Sequence, residues 1–192
     1  MGYTHYWNRP VVIVPETYAH IVRDVQKLVE ACQEVGIALA GWDGTGDPEI
    51  GPRTIAFNGV EQCHHANQDL GIAWPADDAT GVQSDRDTVG TWFAGALLAT
   101  RQCGGDCSHE TFAFNQNESD DPSDFRFCKT AYKPYDLAVT AALIVIKHYV
   151  PAVSVRSDGG SSQWDDARML CTMVLGYGRD FKFDRRAAHF FR

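Results

Sequence analysis

The sequence predicts an α+β fold, in which about three helices pack on a single layer of mostly antiparallel sheet. Two observations predict it. Three segments repeat apolar residues at the three- and four-residue steps of a helix, and several short apolar runs between turn residues are typical of strands. In order, these segments read β-α-β-β-β-β-α-β-α, which is the arrangement of a mixed layer with its helices on one side of the sheet.

The first strand and the first helix follow from the amino-terminal forty residues or so. Gly2 to Trp7 is predicted to be a strand, because a terminus this rich in aromatic rings would otherwise expose a large apolar surface. Val11 to Val14 is expected to continue this strand. Pro15 precedes a strongly periodic helix, which Gly36 ends.

Four short strands are predicted next. The first two are Ile37 to Trp42 and Arg53 to Phe57, and the pair Asn58-Gly59 would close the second of them as a tight turn. Thr111 to Phe114 alternates apolar and small side chains in the way of a strand, and Phe125 to Lys129 is also predicted to be one.

Two further helices complete the pattern. The segment from Pro134 to Tyr149 is apolar on nearly all sides, so it should be the central buried helix. Val153 to Arg156 is a predicted strand. The third helix is expected to take Ser161 or Ser162 as its N-cap and to stop at Gly176.

The length of 192 residues favours one domain covering residues 1–192. Residues 61–106 show no clear pattern and are interpreted as an insertion or a lid, because long structureless loops are uncommon in compact domains. Residues 179–192 form a basic tail rich in phenylalanine. This tail would dock either on the core of its own chain or on a second copy of the chain. Docking on a second copy would make the protein a homodimer.

Composition and charge restrict the partners. The net charge of −8 opposes binding to a phosphate backbone, so a nucleic acid is not expected. The longest apolar run, Leu137 to Ile146, is too short to span a membrane. No basic segment followed by an apolar one precedes the first strand, so a secretory signal is not expected. The cysteine thiols should therefore stay reduced.

Several short motifs together suggest a family. The pieces are Met1 to Tyr6, Asp43-Gly44 with Ile55 to Gly59, His109 to Phe112, Phe127 to Thr130 with Lys133 to Asp136, and Ser157 to Gly159 with Trp164 and Arg168. On these pieces the chain resembles a group of uncharacterised small proteins encoded by bacteriophages. The region from Glu61 to Asp106 has no counterpart in them. The resemblance implies a viral protein in the cytoplasm of the bacterial host, and it implies no activity.

Three polar residues within these pieces are candidate catalytic groups: His5, Glu110 and Asp158. An imidazole that titrates near neutrality can act as an acid or a base, and either carboxylate could support it. His5 shares one face of the first strand with Tyr3 and Trp7, and that face belongs either to a site or to the core. The alternative is a core histidine that bonds a backbone carbonyl.

Candidate ligand-binding residues come from the same pieces. They are Asn58, Lys129, Asp136, Gly159, Trp164 and Arg168. Gly159 lies in a turn before a helix, where backbone amides either bind a phosphate or cap the helix. Trp164 and Arg168, one helical turn apart, would stack on and clamp a nucleotide, or Trp164 is the first core residue of its helix. Asp136 also complements the dipole of the central helix.

The cysteines suggest two further sites. Cys128 paired with His5 would make a nucleophile, although a buried thiol explains it more simply, as it does Cys32 and Cys171. A structural zinc site is predicted from four soft ligands that flank the irregular region, with a Cys103–Cys107 disulfide as its rival. The four ligands are Cys63, His65, Cys103 and Cys107.

Three functions remain open at this point. The first is a factor that binds a small molecule or a host protein during host takeover or counter-defence. The second is an enzyme acting on a nucleotide-like small molecule with His5 and either Glu110 or Asp158, and the third is a minor structural component of the virion. A polar pocket containing these three residues would favour chemistry or ligand binding, whereas a flat apolar surface would favour a partner protein.

Overall fold

The computed structural model describes residues 3–63, 101, 105–118 and 125–184, together with the backbone of 90–93 and 96–99. The helices are α1 (Pro15–Glu34), α2 (Asp136–Tyr149) and α3 (Asp165–Leu175). The strands are β1 (Thr4–Asn8), β2 (Leu39–Ala40), β3 (Glu49–Ile50), β4 (Thr54–Gly59), β5 (Gly90–Phe93), β6 (Ala96–Ala99), β7 (Phe112–Asn115), β8 (Phe125–Lys129) and β9 (Ser154–Ser157).

The α+β class predicted from the sequence is confirmed. The strands form two antiparallel sheets and a separate β5-β6 hairpin, where the sequence suggested one layer. In the three-stranded sheet the order is β8-β1-β9, with the amino-terminal strand in the centre. In the four-stranded sheet β4 pairs with β2, β3 and β7.

The core lies around α2, as its all-round apolar pattern predicted. Every residue from Asp136 to Ile146 is buried, and both α1 and α3 pack against this helix. A fully buried Leu, Ile or Val side chain contributes about 1.5–3 kcal/mol to folding, so the buried side chains of α2 contribute a large part of the apolar stabilisation. Because α2 also begins beneath the three-stranded sheet, its first turn can meet side chains from the inner face of β1.

The predicted turn at Asn58-Gly59 is wrong, because both residues belong to β4. Asn58 pairs with Ala40 and Gly59 pairs with Leu39, so the strand continues two residues further than expected. The glycine is needed for packing instead of for a turn. A Cβ on Gly59 would overlap with the backbone carbonyl of Cys107, which passes directly beside it.

Two predicted strands are much shorter than expected. Val11 to Val14 contributes only an isolated bridge between Val12 and Asn117. The prolines that flank this segment have no N–H to donate to a ladder. The segment Ile37 to Trp42 contains strand residues only at Leu39–Ala40, after which the chain enters a 3-10 turn.

The predicted insertion and tail are described only in part. Of residues 61–106, the structure describes 61–63, the β5-β6 hairpin, Arg101 and 105–106. The described part of the tail packs on the chain's own core, since the rings of Phe181 and Phe183 lie 5.0 and 5.6 Å from that of Trp164. Residues 185–192 lie outside the described part. No helix among the described residues is long and apolar enough to span a membrane.

Candidate functional site

His5 lies on the inner face of β1 and meets the first residue of α2. Its Nε2 atom is 2.7 Å from Oδ1 of Asp136, and both side chains are completely buried. The hydroxyl of Thr130, which follows β8, donates to the same oxygen. Asp136 was expected to complement the dipole of the central helix, and the structure also gives it a direct partner on β1.

Arg101 extends this pair into a network of charges. Its Nε atom lies 3.5 Å from Oδ2 of Asp136, and its Nη1 donates to Oδ2 of Asp166 at 3.1 Å. The Arg101 side chain is fully buried, and within the described part of the chain these two carboxylates compensate its charge. We call His5, Arg101, Thr130, Asp136 and Asp166 the polar network.

The charges of the polar network stabilise one another. Burial alone would raise the pKa of the Asp136 carboxyl, but His5 and Arg101 outweigh this effect and hold that pKa below its ordinary value. Burial likewise opposes the charged form of Arg101, whereas the two carboxylates beside it raise its pKa. Asp136 therefore carries its charge in the core of the folded protein.

Aromatic rings enclose the polar network. Tyr3 and Trp164 both meet the His5 ring edge-on, with centroid distances of 5.1 and 5.2 Å. The guanidinium of Arg101 lies over the Tyr132 ring at 5.1 Å, a cation–π contact. Tyr132 in turn meets Tyr3 edge-on at 4.9 Å. These contacts fix the orientation of the imidazole.

The chemistry available to His5 follows from its position. Its Nδ1 atom is buried and has no hydrogen-bond partner among the described residues. The imidazole has no solvent exposure, and a general base must come within hydrogen-bond reach of its substrate. In this arrangement the network stabilises the junction of sheet and helix.

Cys128 stands directly opposite His5 in the β1–β8 register, so the two side chains share the inner face. The sequence analysis considered this pair as a nucleophile and its base. Burial raises the pKa of the Cys128 thiol, and its Sγ donates to the carbonyl of Glu110 at 3.3 Å. The thiol is therefore held neutral, which fits the simpler interpretation of a buried cysteine.

The other two candidate catalytic residues lie elsewhere. Oε2 of Glu110 accepts the backbone N–H of Lys129 at 2.6 Å, at the edge of β8. Asp158 is exposed and accepts the backbone N–H of Thr4 and the hydroxyl of Tyr6, so it lies on the outer face of the sheet. The structure therefore does not bring His5, Glu110 and Asp158 together in one pocket.

The amides of the turn that contains Gly159 are engaged. The N–H of Asp158 donates to the carbonyl of Thr4, that of Gly159 to Oγ of Ser157, and that of Gly160 to Oε1 of Gln163. A phosphate site would need these groups as donors. Of the two interpretations of this turn, the geometry favours the capped one.

Gly159 packs closely against Tyr3, next to the polar network. A Cβ at this position would overlap with the hydroxyl of Tyr3, whose ring touches His5, while a Cβ on Gly160 would meet nothing within 4 Å. We therefore expect Gly159→Ala to lower the free energy of unfolding by about 1–3 kcal/mol. Chemical denaturation checks this, with Gly160→Ala as the matched control. Equal stability of the two variants would contradict the close packing of Tyr3.

Trp164 and Arg168 do not form an open clamp. Trp164 is completely buried beside His5. The guanidinium of Arg168 bonds the carbonyl of Ser161 at 2.8 Å, the carboxylate of Asp165 at 2.7 Å and the carbonyl of Phe181 at 2.9 Å. It therefore fastens the start of α3 to the segment that follows the helix.

The remaining candidate ligand residues lie apart from the polar network. The amide of buried Asn58 donates to the carbonyl of His109 and to Oγ1 of Thr111, and its oxygen accepts the N–H groups of Gly59 and His109. This side chain holds a loop against β4. Lys129 pairs with Thr4 in the register of β1 and β8, so it lies on the outer face of the sheet.

The predicted zinc site is described only in part. Cys63 is half-buried and Cys107 is buried, while His65 and Cys103 lie outside the described residues. Among the residues that the structure describes, no group of three potential metal ligands is close enough to hold an ion. Cys32 and Cys171 are fully buried as expected, and burial raises the pKa of Cys32 to about 12.

One element of the site gave no signal in the sequence. Arg101 lies inside the segment interpreted as an insertion, and its partners in the polar network are distant along the chain, Asp166 by 65 residues.

Comparisons with known proteins do not extend this picture. No family model, no curated protein and no solved structure matches the chain.

Proposed function

We propose that this chain is a binding factor that docks a partner protein on the outer face of its three-stranded sheet. The observation that carries the proposal is a row of aromatic rings on that face, which we call the aromatic stripe: the exposed Phe125 and Phe127 and the half-buried Tyr6. The resemblance to bacteriophage proteins supports a viral protein that acts on a protein of its bacterial host.

The register of the sheet explains the aromatic stripe. Tyr6 alternates with the buried His5 and Trp7 along β1, so its ring must lie on the opposite, outer face. Phe127 is its direct partner on β8. The Tyr6 and Phe125 rings stack at 6.1 Å, and those of Phe125 and Phe127 lie 6.2 Å apart, so the three form one continuous surface.

The exposure of the two phenylalanine rings is unusual. Phe125 is 43% exposed and Phe127 is 54% exposed. Single exposed apolar side chains are normal, but adjoining ones mark a surface that is covered in a complex. Aromatic residues are enriched at the centres of protein interfaces, where a few of them carry most of the binding energy.

The charges around the aromatic stripe indicate the chemistry of the partner. Arg156 pairs with Tyr6 across β1 and β9, and Lys129 lies further along β8, so cations flank the rings on both sides. Nη2 of Arg156 is held by Oδ1 of Asn8 at 3.3 Å. A partner surface with an apolar centre and carboxylates at its rim would complement this face. The exposed carboxylate of Asp158 and the net charge of −8 disfavour a nucleic acid strand.

The geometry supports binding better than catalysis. His5 is fully buried on the inner face of the sheet, while Asp158 lies on the outer face and Glu110 at the edge. The described residues therefore offer no open pocket in which the three act together. The exposed rings of the aromatic stripe are apolar, and an apolar surface is expected to favour a partner protein.

Photo-crosslinking tests the proposal. Benzoylphenylalanine is placed at position 127, and in a control chain at position 173, because Met173 is equally exposed (54%) but lies on α3. We expect position 127 to crosslink one bacterial protein that position 173 does not, and that protein is then identified by mass spectrometry and purified. Equal crosslinking at both positions would contradict the proposal, and crosslinking to a second copy of the chain would assign the aromatic stripe to a homodimer.

A further inference from the structure

A second surface lies on the helical side of the molecule, away from the aromatic stripe. A cavity of about 610 Å³ opens between α2, the last turn of α3 and the chain that follows α3. Cavities of roughly 300–1,000 Å³ are typical of small-molecule sites. We call this cavity the cationic cleft, for the charges described below, and it is independent of the proposed docking of a protein.

Glycines shape one wall of the cationic cleft. Gly176 and Gly178 have φ values of 79° and 102°, in the left-handed region that favours glycine. They turn the chain back from α3 towards α2. A Cβ on Gly178 would lie 2.7 Å from the Cβ of Cys171, so this segment packs closely on α3 and the wall is well defined.

The floor of the cationic cleft is apolar and rigid. It is lined by Ile144, Tyr177 and Phe181. The Tyr177 ring stacks on His148 with a centroid distance of 3.9 Å and an interplanar angle of 12°. Its hydroxyl donates to Oδ2 of buried Asp24 at 2.9 Å, which fixes the ring from the other end. A ligand would meet a surface already in place, which lowers the entropic cost of binding.

The rim carries an excess of positive charge. Lys147, Arg179 and Lys182 line the cavity with a single carboxylate, Asp180, so the lining has a net charge of +2 (three cations less one anion). Lys147 is already paired with Asp184 at 2.8 Å. Arg179 and Lys182 are exposed, and no carboxylate in the described ranges pairs with either of them.

Helix dipoles explain only part of this charge. Lys147 and His148 lie in the last turn of α2, where a cation is favoured by the partial negative charge of the helix end. Arg179 and Lys182 come after α3 has ended at its C-cap, Gly176, and they belong to no helix. Both side chains line one cavity in a chain with a net charge of −8, so this cavity would attract an anionic ligand.

We propose that the cationic cleft binds a small organic anion. A phosphate or carboxylate group interacts with Arg179 and Lys182 at the rim, and an apolar body lies against Tyr177 and Phe181. Arginine and lysine both bind such oxyanions through charge-assisted hydrogen bonds. The apolar floor adds the hydrophobic contribution that inorganic phosphate would not obtain.

Three probes with one ring test this proposal: phenyl phosphate, benzoate and the neutral benzyl alcohol. Binding to the full chain is followed by the NMR signals of His148 and by titration calorimetry. We expect a dissociation constant of about 1 mM or lower for at least one of the two anions, and at least about tenfold weaker binding of benzyl alcohol. The tighter of the two anions identifies the charged group that the cleft prefers.

Matched substitutions locate the binding. Lys182→Gln should weaken anion binding by about three- to tenfold, and Arg179→Gln with Lys182→Gln should abolish it. Arg53→Gln removes the same charge from an exposed position just before β4, outside the lining of the cleft, and should leave the affinity within about twofold. Equal binding of the alcohol, no binding of either anion, or full affinity in the double variant would each overturn the proposal.

Discussion

Asp136→Asn is expected to lower the free energy of unfolding by about 3–5 kcal/mol, which corresponds to a decrease in Tm of roughly 6–20 °C. The carboxylate is fully buried and bonds His5, while its second oxygen faces the buried Arg101. Among the residues that the structure describes, its loss leaves the guanidinium paired with Asp166. An incompletely compensated charge in the core costs more than the lost hydrogen bond. Urea denaturation followed by circular dichroism measures the effect.

A surface carboxylate provides the control. Asp165 is 68% exposed and also bonds an arginine, Arg168, at 2.7 Å. Asp165→Asn should change the free energy of unfolding by no more than about 1 kcal/mol, because exposed ion pairs contribute little. A stability of Asp136→Asn equal to that of Asp165→Asn would show that the polar network does not support the core.

The same carboxylate predicts a pH dependence. The pKa of Asp136 in the folded protein is lower than its ordinary value of 3.8, so its contribution to stability is fully present only above about pH 5. The contribution is lost as the pH falls through the folded pKa, because the unfolded chain then binds the proton more readily. The difference in stability between the wild type and Asp136→Asn should therefore decrease from pH 5 towards pH 2.

Phe127→Ala is expected to weaken binding of the crosslinked partner by about 30-fold or more, the effect of an aromatic residue at the centre of an interface. The ring is 54% exposed and lies at the middle of β8, so its removal should change the stability of the free chain by no more than about 0.5 kcal/mol. Met173→Ala removes an equally exposed side chain from α3 and should leave the affinity unchanged. Titration of the purified partner measures the affinities of the wild type, Phe127→Ala and Met173→Ala.

The dependence of the affinity on salt distinguishes the apolar contribution to this interface from the charged one. Burial of the aromatic stripe should be insensitive to ionic strength, whereas the contributions of Arg156 and Lys129 should be screened. Arg156→Gln is expected to weaken binding less than Phe127→Ala does, and its effect should fall as salt is added.

The parts of the fold that the sequence predicted are those determined locally. The helical periodicity after Pro15 and the all-apolar segment up to Tyr149 each specify a helix without reference to the rest of the chain. Gly176, with its positive φ, ends α3 as expected. The Asn58-Gly59 pair was predicted incorrectly, because its pairing with β2 and the close approach of Cys107 depend on distant residues.

The candidate site depends on contacts that the sequence does not reveal. His5 was expected on a face that belongs either to a site or to the core, and its partner Asp136 is 131 positions away and had a local explanation. Arg101 lies inside the segment without a clear pattern, and no periodicity of the residues around it predicts that its side chain is buried. The alternation of Phe125 and Phe127 predicted a strand without showing which face is exposed, because Cys128 on the other face is also apolar.

The most direct test of the central claim compares two variants for two properties. Stability and partner affinity are measured for Phe127→Ser and Asp136→Asn at a temperature at which both chains remain folded. We expect Phe127→Ser to keep the stability of the wild type and lose the partner, while Asp136→Asn loses stability and binds the partner with wild-type affinity. Loss of binding in a folded Asp136→Asn chain, with binding retained by Phe127→Ser, would place the function at the polar network and contradict the account.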